Sequence, residues 1–444
     1  MTKNFRLGSM MFLQYALWGA WLPVIARYLS AKVSEGGLGF TGSEIGMILG
    51  LAGSIGAIAA PFIAGQFADR YFSTEKILAF LVFTGGLVKW YTSYQTTVES
   101  WLYLSIIYSI LYMPTLALSN SITFSHIEDT ENTFPKIRVW GTIGWIAASW
   151  IFPMIWLQQD LSFQLMPPFF SGPEMPNVTA RLADALKFSG IISMTYGVFC
   201  FLLPHTPPKA DAVEKLAFKK AFQLFNNKSF TILVLASLAV SVIHQIYFLQ
   251  TGPFLSFIGI KDSAIGPAMT IGQFAEIATM AYLGFFLKRL GFKKVITIGI
   301  LAYFARYAIF GTTFLPVWIV ILSQAFHGFC YAFFFAAGFI YVDKIADEDV
   351  RHSAQTVFGI IIFGGGPVIG GWLSGKLQEI YTTAGVFDYS SFWYTVSGMG
   401  LVTGLLFFIF LILFNGVFGL IATDGLMLLL FMKLSVFLIL EQAS

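Results

Sequence analysis

Charge is the first thing this sequence has little of. Only 11% of its 444 residues are Asp, Glu, Lys or Arg, where a soluble domain carries about 25%. Hydrophobic residues make up 57% and the mean hydropathy is +0.75. No water-soluble core hides that much apolar surface, so lipid has to be the solvent for most of the chain. Cysteine is nearly missing as well. Cys200 and Cys330 both lie in apolar runs, which gives neither a disulfide framework nor a ligand cluster. There is no His-Glu-x-x-His, no Cys-x-x-Cys and no Gly-x-x-x-x-Gly-Lys-Ser/Thr. An enzyme is therefore not expected, nor ATP as the energy source, nor a metal or other cofactor. The net charge of +3 means little until the charges are placed along the chain, and no nucleic-acid partner is expected. No small-residue cleavage site follows the first apolar run, which reads as a retained span and not a signal peptide.

What is present is a succession of apolar runs. A span needs about 20 mostly apolar residues. Such runs fall near 7–29, 43–67, 76–96, 100–124, 137–157, 187–204, 229–250, 265–287, 293–311, 315–341, 353–376 and 391–414. They predict an all-α polytopic membrane protein of two six-helix bundles, residues 1–204 and 229–414. The basic stretch 205–228 separates them, and within it 213–225 has the alternation of a surface helix. Residues 157–187 read as a polar, proline-rich loop. Lys3, Arg6, Arg70, Lys76, Lys136, Arg138, the central lysines, Lys288, Arg289, Lys293, Lys294, Lys344 and Arg351 all fall on one side of the predicted membrane. The other side has fewer, among them Arg27, Lys32, Arg181, Lys261 and Lys376, interleaved with acids. The positive-inside rule then puts the N-terminus and the central loop in the cytoplasm. Residues 415–444 break the pattern. They read as a thirteenth span, a membrane-surface helix or non-native sequence.

Polar and ionisable residues inside spans are costly and tend to face a cavity. Gln14, Lys89, Asn120, His244, Gln245, Gln273, Glu276, Arg306, Gln324 and His327 are such residues here, with His244 on another face than Gln245 and read as structural. Their spread over both halves suits a central cavity. Arg138, Thr142 and Trp145 stand at i, i+4 and i+7 on one helix face, just after Pro135, which suits a first helical turn. They form either a wall for a flat polar ligand, or a snorkelling Arg138 with Thr142 and Trp145 as packing. Gln273 and Glu276, at i and i+3, share a face in the middle of a span. A carboxylate there is paired with a cation or protonated, and either state suits proton coupling; the bland alternative is a structural ion pair, with Arg306 as the candidate cation. Gln245 offers a donor and an acceptor from the seventh helix. Tyr331 and Phe335, one turn apart, suit stacking on a ring or plain packing. Gly46 with Gly50, and Gly371 with Gly375, mark close helix contacts.

Two resemblances join these pieces. Gly65-Gln66-Phe67-Ala68-Asp69-Arg70 resembles the Gly-x-x-x-Asp-Arg loop of the major facilitator superfamily, with Phe72 in the region of the signature's later glycine. That likeness implies the two-bundle fold, with Asp69 and Arg70 as a conformational latch. More narrowly, the chain resembles the superfamily's nucleoside:proton symporters. The match runs through Phe12-Leu13-Gln14-Tyr15-Ala16-Leu17-Trp18-Gly19, Tyr112-Met113-Pro114-Thr115, Arg138-Val139-Trp140-Gly141-Thr142, Gln273 with Glu276, Arg306-Tyr307 and Arg351-His352-Ser353-Ala354-Gln355. The resemblance implies proton-coupled nucleoside uptake by alternating access in a bacterial inner membrane, as a monomer. It also implies a ligand site at the interface of the halves, formed by Arg138, Thr142, Trp145, Gln245, Phe248, Gln273, Glu276 and Tyr331. Glu276 would carry the proton. Phe248 stands where an Asn contact is expected, and Ala332 where such permeases can carry an Asp. Each change removes hydrogen bonds that read ribose or base. A permease for another polar solute, such as a sugar or modified nucleoside, and a membrane sensor that moves nothing are the other readings.

Overall fold

In lipid a backbone amide finds no partner outside its own segment, so apolar runs become helices. The computed structural model describes residues 2–61, 63, 72–165, 169–208, 224–346 and 351–415. Its membrane helices, in chain order, are α1 (Lys3–Ser30), α2 (Gly42–Pro61), α3 (Thr74–Thr92), α4 (Val98–His126), α5 (Thr133–Leu157), α6 (Val178–Leu202) and α7 (Lys228–Phe257). The 50-residue run Asp262–Gly311 breaks at Gly291, whose φ of 76° belongs to the left-handed region that glycine tolerates. It therefore supplies α8 before Gly291 and α9 after it. The set closes with α10 (Val317–Ile345), α11 (Ala354–Ile380) and α12 (Tyr389–Asn415). That makes twelve helices among the described residues.

The ends follow local chemistry. Thr2 and Thr97 cap α1 and α4 through their hydroxyls, and Thr41 with Glu44 forms a reciprocal capping box on α2. Within α1 the hydrogen-bond ladder is interrupted at Ala20–Trp21, just ahead of Pro23. π-helical turns at Met47–Leu51, Pro153–Leu157, Cys330–Ala336 and Ile361–Gly365 re-route backbone bonds inside spans.

Several expectations move. The α-helical segment that carries Arg138 begins at Thr130, ahead of the apolar span of α5, so Pro135 sits inside the helix and not in its first turn. α6 starts at Val178 and not near 187. Residues 157–187 carry a hairpin, β1 (Ser162–Phe163) with β2 (Phe170–Ser171). A second hairpin, β3 (Thr382–Thr383) with β4 (Val386–Phe387), precedes α12. Asp69, Arg70, residues 213–223 and the tail 416–444 lie outside the described residues.

By its contacts the chain groups into two compact units. Unit 1 comprises Met1–Lys215, Gln245–Gln273 and Phe363–Gly375; unit 2 comprises Leu216–His244, Phe274–Ile362 and Lys376–Ser444. In unit 1, α1 and α5 run side by side with backbone nearly touching at Gly19 against Trp145 and at Gly144 against Phe12. The glycines noted in the sequence do the same for α2 and α11: Gly46 abuts Gly371, and Gly375 abuts Ser43. The two ends of unit 1 are tied differently. At one, Glu75 accepts from the Thr206 N–H at 3.0 Å and meets His205 Nδ1 at 2.8 Å, while Arg6 donates to the Leu202 carbonyl at 3.1 Å. At the other, Arg27 bridges Glu35 at 3.1 Å and Asp262 at 3.0 Å, and Thr179 donates to Asp262 at 2.8 Å. In unit 2, Ser397 donates to the Phe304 carbonyl at 2.7 Å, and Tyr307 stacks on Trp393 with centroids 5.1 Å apart. α10 meets α8 backbone to backbone where Gly328 faces Ala275 and Glu276.

Candidate functional site

Of the eight residues singled out from the sequence, Arg138, Thr142, Trp145, Gln245, Phe248 and Gln273 fall in unit 1, and Glu276 and Tyr331 in unit 2. On α5 the regular helical stretch keeps Arg138, Thr142 and Trp145 on one face, all half-buried. The Arg138 guanidinium lies 4.0 Å from the centroid of the Tyr15 ring on α1. Trp145 meets Trp18 edge-on at 5.8 Å, and Trp18 meets Tyr112 of α4 at 5.3 Å. A continuous aromatic wall thus joins α5, α1 and α4. Behind it Gln14 donates to Thr115 at 2.8 Å and its backbone carbonyl accepts from Tyr112 at 3.0 Å.

Gln245 and Phe248 stand at i and i+3 on α7, so they share a face. The π-helical turn of α2 leaves the Leu49 carbonyl able to accept from Gln245 Nε2, at 3.4 Å. Phe248 packs edge-on against Tyr247 at 5.0 Å. Gln273 is buried, and its Oε1 has no hydrogen-bond partner among the described residues. An orphaned buried acceptor costs about 1–3 kcal/mol, a cost that a donor on a bound ligand would remove.

Glu276 follows Gln273 by i+3 on the same helix, half-buried. A Cβ on Gly328 would come within 2.5 Å of the Ala275 carbonyl carbon and 2.7 Å of the Glu276 nitrogen, so α10 packs directly on the Glu276 backbone. Tyr331 lies one turn beyond Gly328, in the π-helical stretch, with its ring 5.9 Å from Phe335. Ala332, beside it, is fully buried.

Other polar groups were visible in the sequence as intramembrane residues, but their partners were not. Arg306 is fully buried and donates to Gln324 and, at 3.3 Å, to His327 Nδ1. His327 stacks on His244 at 5.6 Å, and His244 meets the Tyr303 hydroxyl at 2.9 Å. His244 is thus tied into packing within unit 2. Lys89 is buried, with Nζ 3.4 Å from the Trp21 ring centroid and 4.1 Å from that of Tyr108. Tyr15 was quoted only as part of a motif, since a tyrosine in an apolar run reads as core. Among the described residues no three His, Cys, Asp or Glu side chains gather to hold a metal, and both cysteines are buried and free.

Comparisons with known proteins bear on this arrangement. The sequence profile of a family described as Nucleoside H+ symporter matches residues 1–415. The chain is 32% identical over 423 residues to a putative nucleoside transporter, YegT, of Escherichia coli K12, covering 92% of this chain and 94% of that protein. It is 31% identical over 430 residues to the nucleoside permease NupG of the same organism, covering 92% and 95%. The crystal structure of nucleoside transporter NupG superimposes with a TM-score of 0.77 at 28% identity, over 93% of this chain and all of that one. A D-xylose-proton symporter, at TM-score 0.70 and 14% identity, shares the fold.

Proposed function

We propose, from the premise that the chain belongs to the nucleoside H+ symporter family, that this multi-pass membrane protein takes up nucleosides by alternating access, driven by the proton gradient. The observation that carries the reading is the pair on α8. Gln273 presents a buried acceptor with no partner among the described residues, and Glu276, one turn on, presents a carboxyl group. A nucleoside offers hydroxyl and amine donors to Gln273. Glu276 takes the proton, and its charge state sets whether ligand and proton travel together.

In this reading Arg138 and Gln245 add hydrogen bonds to the ligand, Thr142 a hydroxyl, and Trp145 and Tyr331 pack on its ring. Phe248 contributes apolar contact where an amide would read the ligand. The halves 1–204 and 229–414 rock against each other around residues 205–228, with Asp69 and Arg70 as the latch. The N-terminus is cytoplasmic, the membrane is a bacterial inner membrane, and the monomer is the working unit. Phe248 and the fully buried Ala332 favour a second reading of substrate only: a polar solute whose ribose or base is read by fewer hydrogen bonds.

The test is uptake of labelled uridine and adenosine into proteoliposomes, with and without an inward proton gradient. Gradient-dependent accumulation is expected for the wild type. Glu276→Gln is expected to abolish accumulation while keeping ligand exchange across the membrane. Wild-type accumulation by that variant would end the coupling role of Glu276.

A further inference from the structure

We propose that Tyr15 and Gly141 form a cradle that fixes Arg138, making Tyr15 a positioning residue for ligand binding; this rests on Arg138 contacting the substrate, as proposed above. The geometry is specific. The guanidinium carbon of Arg138 lies 4.0 Å from the Tyr15 ring centroid. Arg138 reaches forward along its own helix: a Cβ placed on Gly141 would lie 2.8 Å from Arg138 Nη1 and 2.6 Å from Tyr15 Cδ2. Any side chain at 141 would therefore push the guanidinium and the ring out of place together. Close approach of α1 to α5 at Gly19 and Gly144 brings the Tyr15 ring to that spot, since a helical side chain leans toward its own N-terminus and so reaches back to 138 and 141.

The physical role follows from what arginine is. Its guanidinium is planar and stacks on aromatic faces, and a ring face holds the charge without using any of its N–H donors. An arginine side chain that is free to rotate loses rotamer entropy when a ligand fixes it. One already held over the Tyr15 ring loses less, and this pre-organisation appears as affinity. The hydroxyl of Tyr15 plays no part, so phenylalanine serves equally well.

Two readouts test the cradle. The first is the KM and Vmax of nucleoside uptake for wild type, Tyr15→Phe and Tyr15→Leu, alone and combined with Arg138→Lys. Tyr15→Leu is expected to raise KM roughly tenfold with Vmax within about twofold, a change within the range of one desolvated cation–π contact. Tyr15→Phe should behave as wild type. In the Arg138→Lys background Tyr15→Leu should add little to KM, because a compact ammonium does not need the flat cradle. The second readout needs no substrate: the rate at which phenylglyoxal modifies Arg138, followed by peptide mass spectrometry. It should rise in Tyr15→Leu and not in Tyr15→Phe. If Tyr15→Leu does not fold, Gly141→Ala carries both measurements with the same expected signature. Unchanged KM in a folded Tyr15→Leu protein, or a fall in Vmax and thermal midpoint with KM unmoved, overturns the positioning role and leaves Tyr15 as packing. A folded wild type that moves no nucleoside, while its Arg138 labelling still responds to Tyr15→Leu, keeps the cradle and discards the nucleoside reading.

Discussion

The two units set intramembrane cations against different partners. In unit 1, Lys89 lies 3.4 Å from the Trp21 ring centroid and 4.1 Å from that of Tyr108, and Arg138 lies 4.0 Å from that of Tyr15. In unit 2, Arg306 is held edge-on by hydrogen bonds to Gln324 and His327, with ring faces farther off at 5.5 and 5.9 Å. A ring face attracts charge over a broad range of orientations and leaves N–H groups available. A hydrogen-bond cluster demands fixed distances and angles, and rigidifies what it joins when fully satisfied. The Arg306 cluster links α9 and α10, and the His244–His327 stack and the bond from His244 to Tyr303 extend it to α7. Unit 2 is thus pinned at Arg306, whereas unit 1 sets Lys89 and Arg138 over ring faces.

That contrast predicts unequal mutational effects. The largest should come from Arg306→Met. It leaves Gln324 and His327 without their charged donor in a fully buried place, at a cost of about 3 kcal/mol or more. The readout is the thermal midpoint of purified protein, and a drop under 2 °C would dissolve the contrast. Next is Arg27→Gln, which separates kind of partner from identity of unit. Arg27 is in unit 1 but is held by carboxylates. Asp262 is 5% exposed and Glu35 45% exposed, so nearly all the effect should come from Asp262, left buried with Thr179 as its side-chain donor among the described residues. About 2–3 kcal/mol is expected, against well under 1 kcal/mol for Glu35→Gln. Equal losses from the two would mean that burial of Asp262 does not set the strength.

The helices were legible because lipid turns hydropathy into structure directly. Their ends were less so. α6 starts at Val178 because Asn177, at φ 56°, turns the chain into the helix inside what composition marks as loop, and Gly291 lets α8 and α9 run on with a kink where a loop was expected. Gly46, Gly50, Gly371 and Gly375 announced close contacts by spacing, but nothing in spacing says that α2 meets α11. The candidate site divides in the same way. Residues sharing one helix, such as Arg138 with Thr142 or Gln273 with Glu276, can be read from helical period. Tyr15 under Arg138, or Arg306 on Gln324, depends on packing between helices far apart in sequence, and side chains carry no mark of it.

A smaller effect should come from Asp388, which lies just ahead of α12 and outside its membrane-spanning segment. It accepts from the Ser391 hydroxyl at 2.6 Å and from the N–H groups of Ser390 and Ser391 at 3.0 and 3.1 Å. The hydrogen bond from the Ser391 side chain, then those from the backbone, hold its pKa below the ordinary carboxylate value against partial desolvation. A carboxyl group depressed in the folded state stabilises above its unfolded pKa, and that contribution disappears as pH falls through the folded value. Asp388→Ala should therefore cost about 1 kcal/mol near neutrality. The difference from wild type should shrink below roughly pH 4. A pH-independent difference in thermal midpoint would show that the cap acts without its charge.

The smallest effect should be at Lys89, where the contrast is sharpest. Among the described residues Lys89 has no ion pair, and its ammonium rests on two ring faces. Those contacts return about 0.5–2 kcal/mol each, while translocon insertion places a lysine at mid-membrane at about 2.5–3.5 kcal/mol. The two sides nearly cancel. Lys89→Met keeps the unbranched shape, packs its sulfur against the same rings and removes the charge. It should leave the thermal midpoint unchanged or slightly higher, with uridine uptake close to wild type. Arg306→Met, the same kind of replacement in unit 2, should not. Equal losses at the two positions would mean that ring faces and hydrogen bonds hold buried charge equally well here, and that unit 1 is pinned as firmly as unit 2.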